Sequence, residues 1–112
     1  MVKVTFKEKD NKLTLKVEGH SGQAAIGNDI VCASCSILAY TVAQYVVTAE
    51  SEGDLKTKPI IKLERGDALI SCEPIDEMYS VLKNIYMFAE VGYKLLSHNF
   101  PQYVGLKTFE TE

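Results

Sequence analysis

The feature that most constrains the fold is a run from Ile30 to Ala49 that carries no charged residue. Apolar side chains recur along it at helical spacing, and further apolar residues occupy its other faces. About 20 such residues can span a bilayer, but Ser, Thr and Gln interrupt the run and no basic cluster flanks it. We therefore expect no membrane partner and a buried central helix, covered by a sheet, a second helix and a candidate partner subunit.

Strand patterns lie on both sides of this helix. Alternating apolar and polar residues predict strands over residues 2–6 and 13–17, and Asp10-Asn11 is typical of a tight hairpin turn between them. Residues 59–64 and 68–72 predict a second hairpin that turns at residues 65–67. A second long helix is predicted to begin at Pro74 and Asp76 and to end before Asn99.

The order strand, strand, helix, strand, strand, helix predicts an α/β fold of the layered α+β kind. Two helices would lie on a four-stranded sheet, and the tail at residues 103–109 is a candidate for an additional edge strand. A length of 112 residues fits one domain spanning residues 1–112.

Charge and cysteine content restrict the partners and the compartment. Twelve Lys and Arg against fifteen Asp and Glu give a net charge of -3, which predicts no direct binding to nucleic acid. The alternating N-terminus does not resemble a secretory signal. Three cysteines, an odd number, suit free thiols in a reducing compartment, so we expect a cytoplasmic protein.

One histidine and one cysteine are predicted to meet at an end of the sheet. His20 follows the second strand, and Cys32 falls in the first turn of the central helix, for which Asp29 is a good N-cap. The helix dipole and an imidazole both favour a nucleophilic thiolate, and unpaired amides in that turn could hold an oxyanion. Core packing is the ordinary role of a helical cysteine, so spacing alone leaves the alternative of a structural thiol open.

The residues at and around His20 and Cys32 resemble a known family signature. The matching residues are Gly19-His20-Ser21-Gly22, then Gly27-Asn28-Asp29-Ile30-Val31-Cys32-Ala33, and Ser36. They are similar to the paired motifs of the ribosomal-processing cysteine proteases, the Prp family. Ser21 stands where Ala is commoner in that family, and Cys35 where another small residue is usual.

The resemblance implies that His20 and Cys32 are the catalytic residues of a cysteine endopeptidase that needs no cofactor. It implies removal of an N-terminal extension from the precursor of protein twenty-seven of the large ribosomal subunit, after an aromatic residue, by a homodimer. Asp29 and Ser36 are candidate supporting residues, and Asp29 either caps the helix or orients His20. Gly22 and Gly27 predict a mobile loop that orders over the peptide.

Two other functions remain open at this stage. Cys32 and Cys35 form a C-x-x-C pair, which is found in thiol-disulfide exchangers. A noncatalytic dimeric module could instead bind a ribosomal protein or peptide, using a stripe formed by Tyr79, Tyr86 and Tyr93, although half-buried packing or a subunit interface explains that stripe more simply. No metal site is expected, because the His and Cys residues lack paired ligand spacing.

Overall fold

The computed structural model describes residues 1–21 and 29–109. They form five strands and two long helices, and a single 3-10 turn at Asp76–Met78 precedes the second helix. The elements are β1 (Val2–Lys9), β2 (Lys12–Glu18), α1 (Ile30–Ser51), β3 (Ile60–Glu64), β4 (Asp67–Cys72), α2 (Tyr79–Asn99) and β5 (Val104–Lys107). Both predicted hairpins and both predicted helices are present.

The sheet has the strand order β3-β4-β2-β1-β5. Both residues of the turn between β1 and β2 have positive φ, 52° at Asp10 and 64° at Asn11, as a type I′ hairpin turn requires. This turn sets a register in which Val4 faces Val17 and Phe6 faces Leu15. The alternating apolar residues therefore lie on one face of the sheet, where they are buried beneath the helices.

The fifth strand corrects the prediction of a four-stranded sheet. β5 pairs in parallel with β1, with Val2 opposite Val104, and so forms the edge of the sheet. The apolar alternation of β5 covers only two residues, Val104 and Leu106, which pack against the core. The tail thus forms the edge strand for which it was a candidate, but its pairing partner, β1, lies at the opposite end of the chain and was not predicted.

α1 is the central helix of the core. Its buried residues are Val31, Cys35, Ala39, Val42, Ala43, Val46 and Ala49. By length and composition the helix could also cross a membrane, and 33% of its most apolar window is buried inside the protein. On another face of the helix Ile37, Tyr40 and Val47 remain exposed, counting cover only from residues 1–21 and 29–109.

α2 buries two tyrosines that were predicted to be half-buried. Tyr86 and Tyr93 are both 0% exposed. Their hydroxyls remain satisfied, because Tyr86 donates a hydrogen bond to the carbonyl of Ile70 and Tyr93 donates one to the carbonyl of Cys35. The two rings therefore lock α2 to β4 and α1 and cannot stack on a bound peptide.

Candidate active site

The first turn of α1 is organised by Asp29, which has extended backbone angles and acts as the N-cap. Its Oδ1 accepts hydrogen bonds from the backbone N–H groups of Val31 and Cys32, each at 3.0 Å. The expected cap is thus observed. The same contacts correct one expectation, because these two amides are occupied by the carboxylate rather than left for an oxyanion.

Asp29 is also bound from the β2 side. The Ser21 hydroxyl donates a hydrogen bond to Asp29 Oδ2, and both residues are buried, with 5% of Ser21 and 8% of Asp29 exposed. The Ser21 hydrogen bond lowers the pKa of the Asp29 carboxyl against the opposing effect of burial, and the amide and side chain of Cys32 and the amide of Val31 lower it further. The carboxylate is therefore fixed by donors on both of its oxygens.

Cys32 lies where β2 ends and α1 begins, and its thiol is partly exposed. The backbone N–H of Ser21 donates a hydrogen bond to Cys32 Sγ over 3.2 Å. The sulfur thus combines access to solvent with a donor aimed at it.

His20 lies in the exposed segment that precedes Ser21, and its ring rests on the turn between β3 and β4. Gly66 makes this contact possible, because a Cβ on that residue would lie only 2.7 Å from His20 Nε2. The Gly19 N–H donates to the Gly66 carbonyl over 2.9 Å and ties the end of β2 to this turn. The β3–β4 hairpin therefore sets the position of the imidazole.

His20 and Cys32 line the same pocket, although no hydrogen bond joins them among the residues that the structure describes. Two backbone bonds separate His20 Cα from the Ser21 nitrogen that contacts the sulfur. Adding those bonds to the 3.2 Å contact places His20 Cα within about 6 Å of Cys32 Sγ. The two residues are therefore neighbours at this end of the sheet, while the His20 ring itself lies against Gly66 in this structure.

The pocket has a volume of about 520 Å³ and lies between the first turns of α1 and the β3–β4 turn. One wall contains Cys32, Ser36 and Tyr40, and the opposite wall is formed by residues 64–68 of the hairpin. Volumes of this size are usual for ligand clefts. Ser36 is exposed at the pocket, and the predicted loop residues Gly22 and Gly27 lie outside the described residues.

Cys35 occupies the next turn of the same helix but is 2% exposed. Burial raises the pKa of its thiol to about 12, and the negative charges of Cys32 and Asp29 add to the effect. A thiol of this kind is protonated at neutral pH and shielded from a partner disulfide. The structure thus disfavours the thiol-disulfide exchange that the C-x-x-C spacing left open.

Cys72 is a core thiol, as its position at the end of a strand suggests. Burial raises its pKa, and the Tyr86 hydroxyl lies 3.7 Å from its sulfur. Within residues 1–21 and 29–109, no group of three or more His, Cys, Asp or Glu side chains is arranged to hold a metal ion. Cys32 is therefore the one accessible thiol among the three cysteines.

Sequence reasoning missed two contributors to this site. Ser21 stood out only as a departure from the family motif, and Gly66 only as a turn residue. A serine beside the histidine, together with an aspartate N-cap across the loop, was the available signal for the hydroxyl–carboxylate contact. The contact of Gly66 with His20 depends on how two hairpins meet, and no local pattern encodes it.

Comparison with known proteins identifies structures of the same fold. The essential ribosomal processing protease Prp from S. aureus, in complex with a covalently linked product peptide, superposes with a TM-score of 0.72 at 18% identity, over 96% of this chain and 99% of that one. The same S. aureus protein with a substrate peptide gives a TM-score of 0.67 at 17% identity, over 96% and 99% of the two chains. SMU.848 from Streptococcus mutans gives 0.67 at 23% identity, over 97% and 94%.

Sequence comparison supplies the family. No curated protein matches this chain. The sequence profile of the family described as cysteine protease Prp, however, matches residues 1–105, which include the end of β2, all of α1 and the pocket between them. The chain is therefore a cysteine protease and belongs to the Prp family.

Proposed function

We propose that this protease removes the N-terminal extension of a ribosomal protein precursor, with Cys32 as the nucleophile and His20 as the general acid and base. The observation that carries the proposal is the environment of Cys32. Its sulfur is partly exposed in a pocket, accepts an N–H from Ser21 and lies within about 6 Å of His20 Cα. Among the three cysteines, the other two thiols are buried.

The reaction begins when His20 takes the thiol proton and Cys32 Sγ attacks the carbonyl carbon of the scissile peptide bond. A bond forms between sulfur and carbon, the carbon–nitrogen bond breaks, and His20 returns the proton to the leaving amine. Water then hydrolyses the thioester, and His20 accepts its proton. Asp29 holds the Val31 and Cys32 amides, so among the described residues the Ser21 N–H, which already donates to the sulfur, is the donor that we propose turns to the oxyanion as the sulfur bonds to carbon.

The substrate class is supported by the structural relatives. The S. aureus protein of the same fold is described as a ribosomal processing protease and is found with a substrate peptide and with a covalently linked product peptide. For the present chain we propose the precursor of protein twenty-seven of the large ribosomal subunit, cleaved after an aromatic residue. The pocket of about 520 Å³ has room for a large side chain.

The proposal is tested with a peptide copied from the N-terminus of that precursor in the same organism. We expect wild type to cleave it at one bond, identified by the mass of both products, and Cys32→Ala to be slower by at least about a thousandfold. Cys35→Ala is the matched control and should retain cleavage. Equal rates for wild type and Cys32→Ala would overturn the proposal, and binding without cleavage by wild type would favour a noncatalytic module.

We further propose that the protein is a homodimer in which the uncovered helix faces meet. Exposed apolar side chains lie on both helices, among them Ile37 on α1 and Phe88, Val91 and Leu95 on α2, and Phe88 is 81% exposed. Burying such a surface against a second copy stabilises a dimer. Phe88→Glu should shift sedimentation toward the monomer, whereas Ile60→Glu, an equally apolar exposed site on β3, should not. A monomeric wild type would contradict this part of the proposal.

We also propose that residues 1–112 work as one domain in the cytoplasm, without nucleic-acid or membrane partners. The helices and strands share one hydrophobic core, and the three cysteines are free, as suits a reducing compartment. Cell fractionation should place the protein in the soluble cytoplasmic fraction. Recovery in the membrane fraction would contradict this location.

A further inference from the structure

We propose that Ser21 is a positioning residue that holds the histidine-bearing segment against the cysteine-bearing helix through its hydroxyl. This inference rests on the proposed function, since it assigns a role to Ser21 in the arrangement of His20 and Cys32. Ser21 does not exchange a proton with the substrate in this account. It fixes the distance between two residues that do.

Two of the contacts made by Ser21 are hydrogen bonds that cross from the end of β2 to the first turn of α1. Its hydroxyl donates to Asp29 Oδ2, and its backbone N–H donates to Cys32 Sγ over 3.2 Å. The first bond joins it to the helix cap and the second to the nucleophile. One small residue therefore connects the chain beside His20 to both ends of the first helical turn.

The hydroxyl bond is of a strong kind. Its acceptor is an ionised carboxylate whose other oxygen already binds two amides, and Ser21 is only 5% exposed. Hydrogen bonds to charged groups contribute more than neutral ones, and burial removes the competition from water. Asp29 is in turn held by α1, so the hydroxyl is anchored to a rigid element.

The anchor acts on catalysis through the backbone. The Ser21 N–H approaches the sulfur only if this residue stays against the helix, and His20 Cα is two bonds from that nitrogen. Alanine at this position would keep the amide and lose the hydroxyl. The His20 segment could then move away from Cys32, which would reduce the fraction of molecules in which ring and sulfur are aligned.

The test compares Ser21→Ala and Ser21→Thr with Ser34→Ala. Ser34 also lies near the start of α1, but its hydroxyl donates to the carbonyl of Ile30 and makes no contact with the cap. Two quantities are measured for each variant: kcat and KM on the precursor peptide, and the rate at which iodoacetamide modifies Cys32, identified by mass. Thermal unfolding checks that each variant is folded.

We expect Ser21→Ala to lower kcat about tenfold with little change in KM, and to slow Cys32 alkylation by a similar factor. Ser21→Thr retains the hydroxyl and should restore most of both rates, while Ser34→Ala should match wild type. Rates for Ser21→Ala equal to wild type, or equal losses in Ser21→Ala and Ser34→Ala, would overturn the inference.

The two proposals fail in different ways. If wild type does not cleave the peptide, the proposed function fails, and the alkylation rates still decide the role of Ser21 because that reaction needs no substrate. If wild type cleaves and Ser21→Ala does so equally well, the proposed function stands and Ser21 has no positioning role.

Discussion

Cys32 and Cys35 lie on consecutive turns of one helix and line the same pocket, but Cys32 is partly exposed and Cys35 is buried. The first turn of α1 meets the end of β2, where Asp29 and Ser21 supply polar contacts and a pocket admits solvent. The second turn packs into the core, where Tyr93 donates to the Cys35 carbonyl and burial raises the pKa of the thiol to about 12. Both cysteines belong to the same helix, so helical structure alone does not explain the difference in exposure. The comparison shows that a cysteine is exposed or buried according to where the helix begins relative to the sheet.

Removing the imidazole should produce a large change in activity, second only to the loss of the Cys32 thiol. His20→Ala should lower kcat/KM on the precursor peptide by at least about a hundredfold, because the thiol loses its proton acceptor. Cys35, which is shielded from His20 by burial, should stay as unreactive as before. His98→Ala is the matched control, since the second histidine lies in the last turn of α2. Equal losses in the two variants would contradict the role of His20.

Removing the cap should weaken the turn that carries Cys32. Asp29→Ala should lower the free energy of unfolding by about 1 to 2 kcal/mol, the usual cost of losing an N-cap, measured by chemical denaturation. Because folding lowers the pKa of Asp29, its contribution is present above about pH 4 and is lost as pH falls through the lower folded value. The difference between wild type and Asp29→Ala should therefore shrink in acid.

Asp76→Ala serves as the control for that acid dependence, because Asp76 pairs with Lys56 at the surface and its side chain is 80% exposed. It should change stability less than Asp29→Ala does at neutral pH. A difference between Asp29→Ala and wild type that does not vary with pH would contradict the interpretation of Asp29 as a bound carboxylate.

Replacing the two thiols in turn should separate stability from activity. Cys35→Ala should lower the free energy of unfolding by about 1 kcal/mol, because it leaves a small cavity in the core, and should leave kcat/KM nearly unchanged. Cys32→Ala should abolish cleavage and change the free energy of unfolding little. If Cys35→Ala abolished cleavage and Cys32→Ala did not, the assignment of Cys32 as the nucleophile would be contradicted.

The smallest expected change in stability comes from the turn that supports His20. Gly66→Asn introduces a residue type that tolerates the positive φ of 72° at this position. The added Cβ would nevertheless displace the imidazole of His20. Gly53→Asn is the matched control, because Gly53 has a φ of 77° and no atom within 4 Å of an added Cβ. Both should change stability by only a few tenths of a kcal/mol, while only Gly66→Asn should shift the His20 ring resonances in NMR spectra.

Much of the fold was accessible from the sequence because its signals are local. The positive φ values at Asp10 and Asn11 and the cap at Asp29 follow from short motifs. The pairing of β5 with β1 and the complete burial of Tyr86 and Tyr93 were not accessible. They depend on contacts between distant segments, such as the hydrogen bond from Tyr93 to the Cys35 carbonyl.

In the candidate site, too, the residues in short motifs could be predicted from the sequence, and the contacts between distant segments could not. His20, Cys32 and Asp29 stand in recognisable motifs, and the structure brings all three to one pocket. The predicted Asp29 cap is present and binds the Val31 and Cys32 amides, so the suggestion that free first-turn amides hold an oxyanion is wrong for these two. The support from Ser21 and Gly66 arises only when β2, the β3–β4 turn and α1 meet.

The central claim is that Cys32 is the reactive thiol and Cys35 is not. The most direct measurement is the rate of iodoacetamide modification at each cysteine of the folded wild-type protein across a range of pH, with the modified residue identified by mass. The account predicts that Cys32 is modified in the folded protein, and that Cys35 and Cys72, whose thiol pKa values are raised by burial, react only after unfolding. Modification of Cys35 as fast as Cys32 in the folded protein would contradict it.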